Sequence, residues 1–472
     1  MSQSIAASRT GVIENLFRKY PDTPQESIIK QDLLILGEGF SESALAAAAN
    51  AEKKNYNLFS HDLVPMSSMQ RQEYLKAPEC FATKGGPYEL RPMCTHTVIS
   101  PDSPYLIDVI DGRLKLLLDG VAIADVGYSP PLKYYSKSFS DGTSYSDIIA
   151  RGSSVIPFRL CQLWGEEKEC KFCDMNENTR QVSEFKSRLQ ASPVKPVERV
   201  AVVANEIGRE VLERDGYQAP IDFYISGGTI TDKLHGLTEE DFYLQYVEAV
   251  KSGGHRRHIT LSTGSADKET AKRYHRVGVD SHWANLEVWD KRLFEWICPG
   301  KSERVGWEEW VKRLLDSVDI FGEGNVCPTI IGGLEMAQPY GFKTINEAVK
   351  STTEGLTYLM SHGVMPRINL WRRQPGTFLV KNYSQPPVSP EYAIELMRNY
   401  YENWKRYGLP LPRRISACPE LRVLAREHGF RDDYLILMEQ KDYGNLALQA
   451  LENAGYIWGY NPKDANLQVR LT

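Results

Sequence analysis

Cys161-Gln-Leu-Trp-Gly-Glu-Glu-Lys-Glu-Cys170-Lys-Phe-Cys173 follows directly on an apolar, β-type run, Ser154-Val-Ile-Pro-Phe-Arg-Leu. Three cysteines fall within thirteen residues. Cys170 and Cys173 can aim their sulfurs at one centre, and Cys161 joins them only if it folds back over a charged loop that has no place in a core. The stretch therefore reads as a metal-binding loop rather than three unrelated thiols. Three thiolates suit a soft centre, zinc or iron–sulfur. Structural zinc normally closes with four protein ligands, and no His or fourth Cys lies nearby in the sequence. The count favours iron–sulfur with one iron left open. A free thiol is mostly protonated near neutral pH, and the metal itself enforces the thiolate.

Downstream of this loop, strand and helix signals alternate for over two hundred residues. The spacing predicts strands at 221–226, 258–262, 281–288, 326–331 and 367–371, with one more before Cys161. Helical patterns lie between them, clearest in Trp307, Trp310, Val311, Leu314, Leu315 and Val318, a stripe at steps of three and four. Repeated strand–helix units imply a parallel sheet with right-handed crossovers. Six units are too few for a closed eight-fold barrel, so the expected fold is α/β, a partial TIM-like (β/α)6 barrel over 150–385. In such folds ligands sit at the C-terminal ends of strands. The cysteine loop, Ser226-Gly-Gly-Thr and Ser262-Thr-Gly all fall at such ends.

Upstream the pattern differs. Residues 1–24 read as a flexible start, and 25–149 as an α+β lobe that opens with helical segments. Its later part holds three apolar runs, at 105–110, 113–118 and 121–126, joined by Asp111-Gly112 and Asp119-Gly120. Asp-Gly between apolar runs marks a tight hairpin, so a three-stranded meander is expected. Beyond the barrel, 386–472 reads as a helical C-terminal extension. Its first stripe, Ala393, Ile394, Met397, Tyr400, Tyr401 and Trp404, ends at Gly408 before Pro410.

Length and composition narrow the partners. A chain of 472 residues exceeds one small core. Its net charge of −5 argues against a nucleic-acid backbone as the main partner. The eight cysteines lack the regular framework of a secreted disulfide scaffold, which places the chain in a reducing, cytoplasmic compartment. No apolar run is long enough for a membrane span, and the first twenty residues hold no signal-peptide core.

The cysteine loop, the Gly-Gly turn and the six units together resemble the radical S-adenosylmethionine superfamily over about 150–385. The later strands look most like the biotin-synthase group and its relatives. The resemblance implies that Cys161, Cys170 and Cys173 hold a 4Fe-4S cluster and that Phe172, before the third Cys, packs near the adenine of S-adenosylmethionine. Gly227 and Gly228 match the glycine pair whose backbone meets the methionyl amino group, with Thr229 where an acidic residue is usual. Ser262 belongs to the next strand end. Asn285-Leu-Glu287 resembles the strand-four word that reaches the ribose or amino-acid portion, and Ile330 and Ile331 match the strand-five word at the adenine. Arg367 and Asn369 resemble the strand-six word, and with Trp371 and Arg373 they share one face by alternation. The CX8CX2C spacing departs from the family, whose commonest first gap is three. Cys327 matches a ligand of the second, 2Fe-2S cluster of biotin synthase, but its companion positions carry no Cys. No second cluster of that type is expected, and Cys327 reads as a core residue.

The resemblance further implies an oxidoreductase or transferase in which one electron, from an external donor of flavodoxin or ferredoxin type, cleaves S-adenosylmethionine. The resulting 5′-deoxyadenosyl radical would take hydrogen from a small-molecule substrate. Which substrate, and which catalytic residues, the sequence does not say. Two other readings stand beside it: a zinc protein closed by a distant Cys such as Cys94, and an electron-transfer iron–sulfur protein. His255, Arg256, Arg257 and His258 before strand three, and His282 at the start of strand four, are expected on a solvated surface.

Overall fold

A computed structural model describes residues 8–54, 56, 59–65, 68, 76–128, 133–150, 154–165, 167–185, 192–215, 221–253 and 257–409. The expectations for His255, Arg256, Pro410 and the rest of the tail fall outside these residues, as does Cys418.

The chain opens with two helices, Arg9–Lys19 and Gln25–Leu36. Ser8 caps the first by accepting from the Gly11 N–H at 3.3 Å, and Ile13 and Leu16 are buried. The flexible start expected for 1–24 is thus corrected from residue 9 onward. A short amphipathic stretch with weak sequence signal becomes ordered because its apolar side has a core to meet. Arg9 pairs with buried Asp32 of the second helix.

These helices accompany a six-stranded sheet in the order β1-β4-β5-β6-β2-β3. Its strands are β1 (Gly39–Phe40), β2 (Cys80–Gly85), β3 (Leu90–His96), β4 (Tyr105–Ile110), β5 (Arg113–Leu118) and β6 (Val121–Tyr128). The meander β4–β5–β6 is antiparallel, with Tyr105 opposite Leu118 and Ile110 opposite Arg113. Both connecting turns have two residues at positive φ, Asp111 (51°) with Gly112 (74°) and Asp119 (48°) with Gly120 (81°). That twist matches the strands they join.

Six parallel strands follow: β7 (Ser154–Val155), β8 (Ile221–Ser226), β9 (Arg257–Ser262), β10 (Ser281–His282), β11 (Thr329–Gly332) and β12 (Arg367–Leu370). Ladders join β7–β8–β9–β10 and β11–β12, all parallel. Isolated parallel bridges, His282 to Val326 and Glu287 to Ile330, connect the two ladders. Helices separate the strands, among them Met175–Phe185, Glu239–Lys251, Lys268–Val277, Trp307–Phe321 and Ile345–Ser361. The result is an α/β fold with a curled, half-barrel sheet.

Two expectations on this sheet are corrected. The strand expected at 281–288 is regular only over Ser281–His282. Glu287 sits at φ 69°, a left-handed conformation that interrupts an extended run, although its backbone still bridges β11. His282 and His258 are buried rather than solvated, 1% and 8% exposed. His282 lies among the rings of Tyr274 and Phe321, and its Nε2 pairs with Thr263 Oγ1 at 3.2 Å. Strand starts face away from the site, but here the flanking helices cover them.

The main core surrounds the parallel strands and takes in Val155, Phe223, Ile225, Ile259, Leu261, Ile330 and Ile368. A second core lies under the antiparallel sheet, with Ile28, Leu33, Phe81, Ile107 and Leu116. The helix Pro390–Tyr407 belongs to both: Tyr392, Ala393 and Leu396 enter the first and Ile394 the second. Gly408, at φ 62°, ends it as expected, its N–H reaching Trp404 O at 2.9 Å.

Candidate metal centre

The cysteine loop leaves β7 and immediately crosses the end of β8. Gly228 N–H donates to Phe158 O at 3.1 Å, and Gln162 N–H to Thr229 O at 2.9 Å. Crossing at this distance leaves no room for side chains. A Cβ on Gly228 would stand 1.7 Å from Leu160 O and 2.6 Å from Cys161 Cα, and one on Gly227 2.6 Å from Phe158 O. The glycine pair is therefore the bed on which the loop lies. Tyr243 Oη fixes it from below by donating to Gly228 O at 2.7 Å.

Asn176, on the helix Met175–Phe185, grips the first cysteine. Its Oδ1 accepts from Cys161 N–H at 2.8 Å and its Nδ2 donates to Cys161 O at 3.2 Å. The last two cysteines share a tight turn, Cys173 N–H to Cys170 O at 2.9 Å. Sequence reasoning passed over Asn176. Its only signal is position, three residues after Cys173 at the start of the next helix.

The six described cysteines in which side chains are resolved, Cys80, Cys161, Cys170, Cys173, Cys298 and Cys327, are free thiols. Burial pushes the Cys161 thiol up, and charge at Cys170 adds to it. The same two causes, with Cys161 also contributing, push Cys173 well up. Charge at Cys170 thus bears on both of its companions in the loop. Cys170 moves the other way, chiefly through the neighbouring Cys298 thiol and then the Lys301 ammonium. Among the described residues, no group of three or more His, Cys, Asp or Glu is arranged to hold a single metal ion. A cubane cluster is wider than one ion, so sulfurs at three of its corners stand further apart than ligands of one ion. Three soft thiols on one loop are a donor set that suits an iron–sulfur cluster, and Cys298 is a further thiol close to Cys170. The Cys94 side chain lies outside the described ones.

The remaining expected site residues form the strand ends around this loop. Phe172 is half-buried against the main core. Thr229 supports the loop, and Ser262 closes β9 in register with Ser226. Ile330 is buried and Ile331 half-buried. Arg367 stacks on the Trp283 ring, 4.2 Å from its centroid. Asn369, in register with Ile331, has a buried Oδ1 with no hydrogen-bond partner among the described residues.

Asn285 and Glu287 have partners within the protein. Asn285 Oδ1 accepts from Thr329 N–H at 3.1 Å, holding the start of β11. Glu287 Oε1 accepts from Lys301 Nζ at 2.6 Å, and Lys301 also donates to Asn285 O at 2.9 Å. Burial alone would lower the Lys301 ammonium, but Glu287 and the Cys170 sulfur outweigh it and hold it above its ordinary value. Nothing in the sequence flags Lys301. Arg373 is turned to Gln385 O at 3.2 Å. Glu335 is buried and joins Gly333 N–H at 2.9 Å, Thr352 Oγ1 at 2.6 Å and Tyr392 Oη. Cys327 sits in the core, as expected, its Sγ 3.3 Å from Gly324 O.

No family model matches the chain. It is 27% identical over 211 residues to the bacteriochlorophyllide c C-7(1)-hydroxylase of Chlorobaculum limnaeum, a match covering 42% of this chain and 44% of that protein. The chain thus spans less than half the length of this curated relative. Solved structures that it resembles include the FeFe-hydrogenase maturase HydG from Carboxydothermus hydrogenoformans, at 13% identity and a TM-score of 0.35 over 55% of this chain and 54% of that one. Another is coproporphyrinogen III oxidase HemN from Escherichia coli, described as a radical SAM enzyme, at 13% identity and a TM-score of 0.35 over 59% and 58%.

Proposed function

We propose that the chain is a radical S-adenosylmethionine enzyme whose 4Fe-4S cluster is held by Cys161, Cys170 and Cys173. The observation that carries this is the loop itself: three thiols within thirteen residues, beyond the first parallel strand, on a glycine bed that admits no side chain. When bound, the cluster supplies the electron that cleaves S-adenosylmethionine, so that a 5′-deoxyadenosyl radical can take hydrogen from a substrate. Strand order β7 to β12 supports the (β/α)6 form of the barrel, with later strands of the biotin-synthase-related kind.

The chain's own residues bind and orient. Gly227, Gly228 and Thr229 hold from below the loop against which the cofactor would lie, and Ser262 lies at the neighbouring strand end. Phe172, Ile330 and Ile331 offer apolar surface for the adenine. Asn285 and Glu287 act from behind, fixing β11 and Lys301. Asn369, whose buried oxygen meets no partner among the described residues, would take a polar group of cofactor or substrate, and Arg367 on Trp283 lies beside it. An external flavodoxin or ferredoxin type of donor and a small-molecule substrate complete the reading, in a reducing compartment such as the cytoplasm. The hydroxylation in the relative's name makes C–H hydroxylation of a tetrapyrrole the first outcome to try.

Anaerobic reconstitution of the full chain tests this. About four irons per chain, and 5′-deoxyadenosine formed from S-adenosylmethionine on reduction, are expected, with both lost in Cys161→Ala, Cys170→Ala and Cys173→Ala. Zinc without iron, or a cluster indifferent to S-adenosylmethionine, would sink the proposal.

A further inference from the structure

Asp174, the residue after the third cysteine, is only 2% exposed. Burying a carboxylate costs free energy that hydrogen-bond donors have to offset. Here they come from 114 residues upstream: Ser60 gives its N–H at 3.1 Å and its hydroxyl at 2.7 Å to Asp174 Oδ2. The same hydroxyl accepts from Gln374 Nε2 at 3.4 Å. Gln374 lies four residues past the end of β12. Ser60 therefore stands between the loop that follows the first parallel strand and the chain that follows the last. Its own mount is firm. Asp62 Oδ1 accepts from Ile99 N–H at 2.8 Å and pairs with Lys54, and Leu63 N–H donates to Ile99 O at 3.1 Å, just beyond β3. His61, between Ser60 and Asp62, sits at φ 58°, a conformation that side chains resist and that persists where the surroundings impose it. A second grip lies on Tyr56, whose carbonyl accepts from Arg159 Nη2 at 3.1 Å and Asn178 Nδ2 at 3.0 Å. Arg159 precedes Cys161 by two residues and Asn178 follows Cys173 by five. The N-terminal lobe thus grips the cysteine loop on both of its flanks.

We infer that Ser60 is a positioning residue for the cysteine loop: through its two hydrogen bonds to Asp174 it couples the N-terminal lobe to the cluster of the proposed function. Resting on that reading, the inference gives the lobe a part in keeping the cluster and adds a residue that no cysteine motif contains. The physical reason is linkage. Contacts that favour the loop conformation able to hold a cluster raise its affinity for the cluster, and the coupling is reciprocal. Loading the cluster must then tighten the contacts of the lobe by the same factor. A hydroxyl given to a carboxylate is among the stronger hydrogen bonds a serine can make, so its loss should be measurable.

The test is hydrogen–deuterium exchange of the full chain, read by mass spectrometry before and after anaerobic reconstitution. Loading should slow exchange about tenfold in the peptide that carries the Ser60 amide as well as in the cysteine loop. Equal exchange around Ser60 with and without the cluster overturns the inference, and this measurement needs no variant to fold. In Ser60→Ala the loop should still gain protection on loading, while the peptide around position 60 gains none. Iron should also pass to a ferrous chelator about tenfold faster. Ser60→Thr, which keeps the hydroxyl, should restore slow release. Release from Ser60→Ala as slow as from the unsubstituted protein, or from Ser60→Thr as fast as from Ser60→Ala, overturns the inference and leaves the proposed function standing. A chain that takes up no iron–sulfur cluster overturns both.

Discussion

Gly120, in the hairpin between β5 and β6, and Gly228, after β8, each end a sequence word that stands out, Asp-Gly and Gly-Gly. Their surroundings are opposite. Gly120 has φ 81° and nothing within 4 Å of the point where a Cβ would stand. Gly228 lies outside the left-handed region, yet a Cβ there would meet Leu160 O at 1.7 Å. The first glycine answers a local need, a backbone conformation that side chains resist. The second answers a distant one, the passage of a loop that starts almost seventy residues earlier in the chain. A short word can be read correctly in both cases, but only in the first does the sequence also disclose the reason.

Substitution separates the two kinds of glycine, and the largest effect is expected at the distant one. Gly228→Val should displace the backbone at Leu160–Cys161, destabilise the fold by ~3 kcal/mol or more, and abolish iron–sulfur uptake measured by absorbance and iron content. Uptake unchanged from the unsubstituted protein would show that the bed is not needed by the loop.

A second distant effect is expected at His282, whose burial holds its imidazole down at about 4. The unfolded chain takes the proton near the ordinary value of about 6.5, so the folded value is the lower one. Stability should therefore be complete above about pH 6.5 and decline as the pH falls toward 4. The loss is on the order of 3 kcal/mol, read by urea unfolding across that range. His282→Gln should flatten the slope, and a slope unaltered by it would assign the acid sensitivity elsewhere.

The smallest effect is local. Gly120→Ala should cost about 1 kcal/mol in thermal or urea unfolding and leave iron uptake untouched. A loss of iron uptake in this variant would blur the distinction between the two glycines.

The same division governs how far the sequence could be read. β4, β5 and their turns match the expected ranges because alternation and Asp-Gly turns are local signals. The parallel strands lie where strand–helix alternation puts them, yet their polar residues resist reading. Asn285 and Glu287 resemble a cofactor-binding word, which does not announce that one also hydrogen-bonds β11 and the other a lysine brought in by a later helix. Ile297 and Gly300, whose backbone groups bond the cysteine loop at Lys171 and Lys168, share no motif with it. Contacts of that kind have no signature in spacing, because folding rather than sequence makes them neighbours. The expectation for His282 failed for the same reason: its burial depends on Tyr274 and Phe321, which helices elsewhere in the chain bring to it.

Ile394 turns its side chain into one core while Tyr392 and Leu396, two residues to either side, turn theirs into the other. A single helix surface therefore completes both hydrophobic interiors. Peeling it away would open both interiors at once, so heat or denaturant should meet one cooperative unit where two cores would suggest a pair.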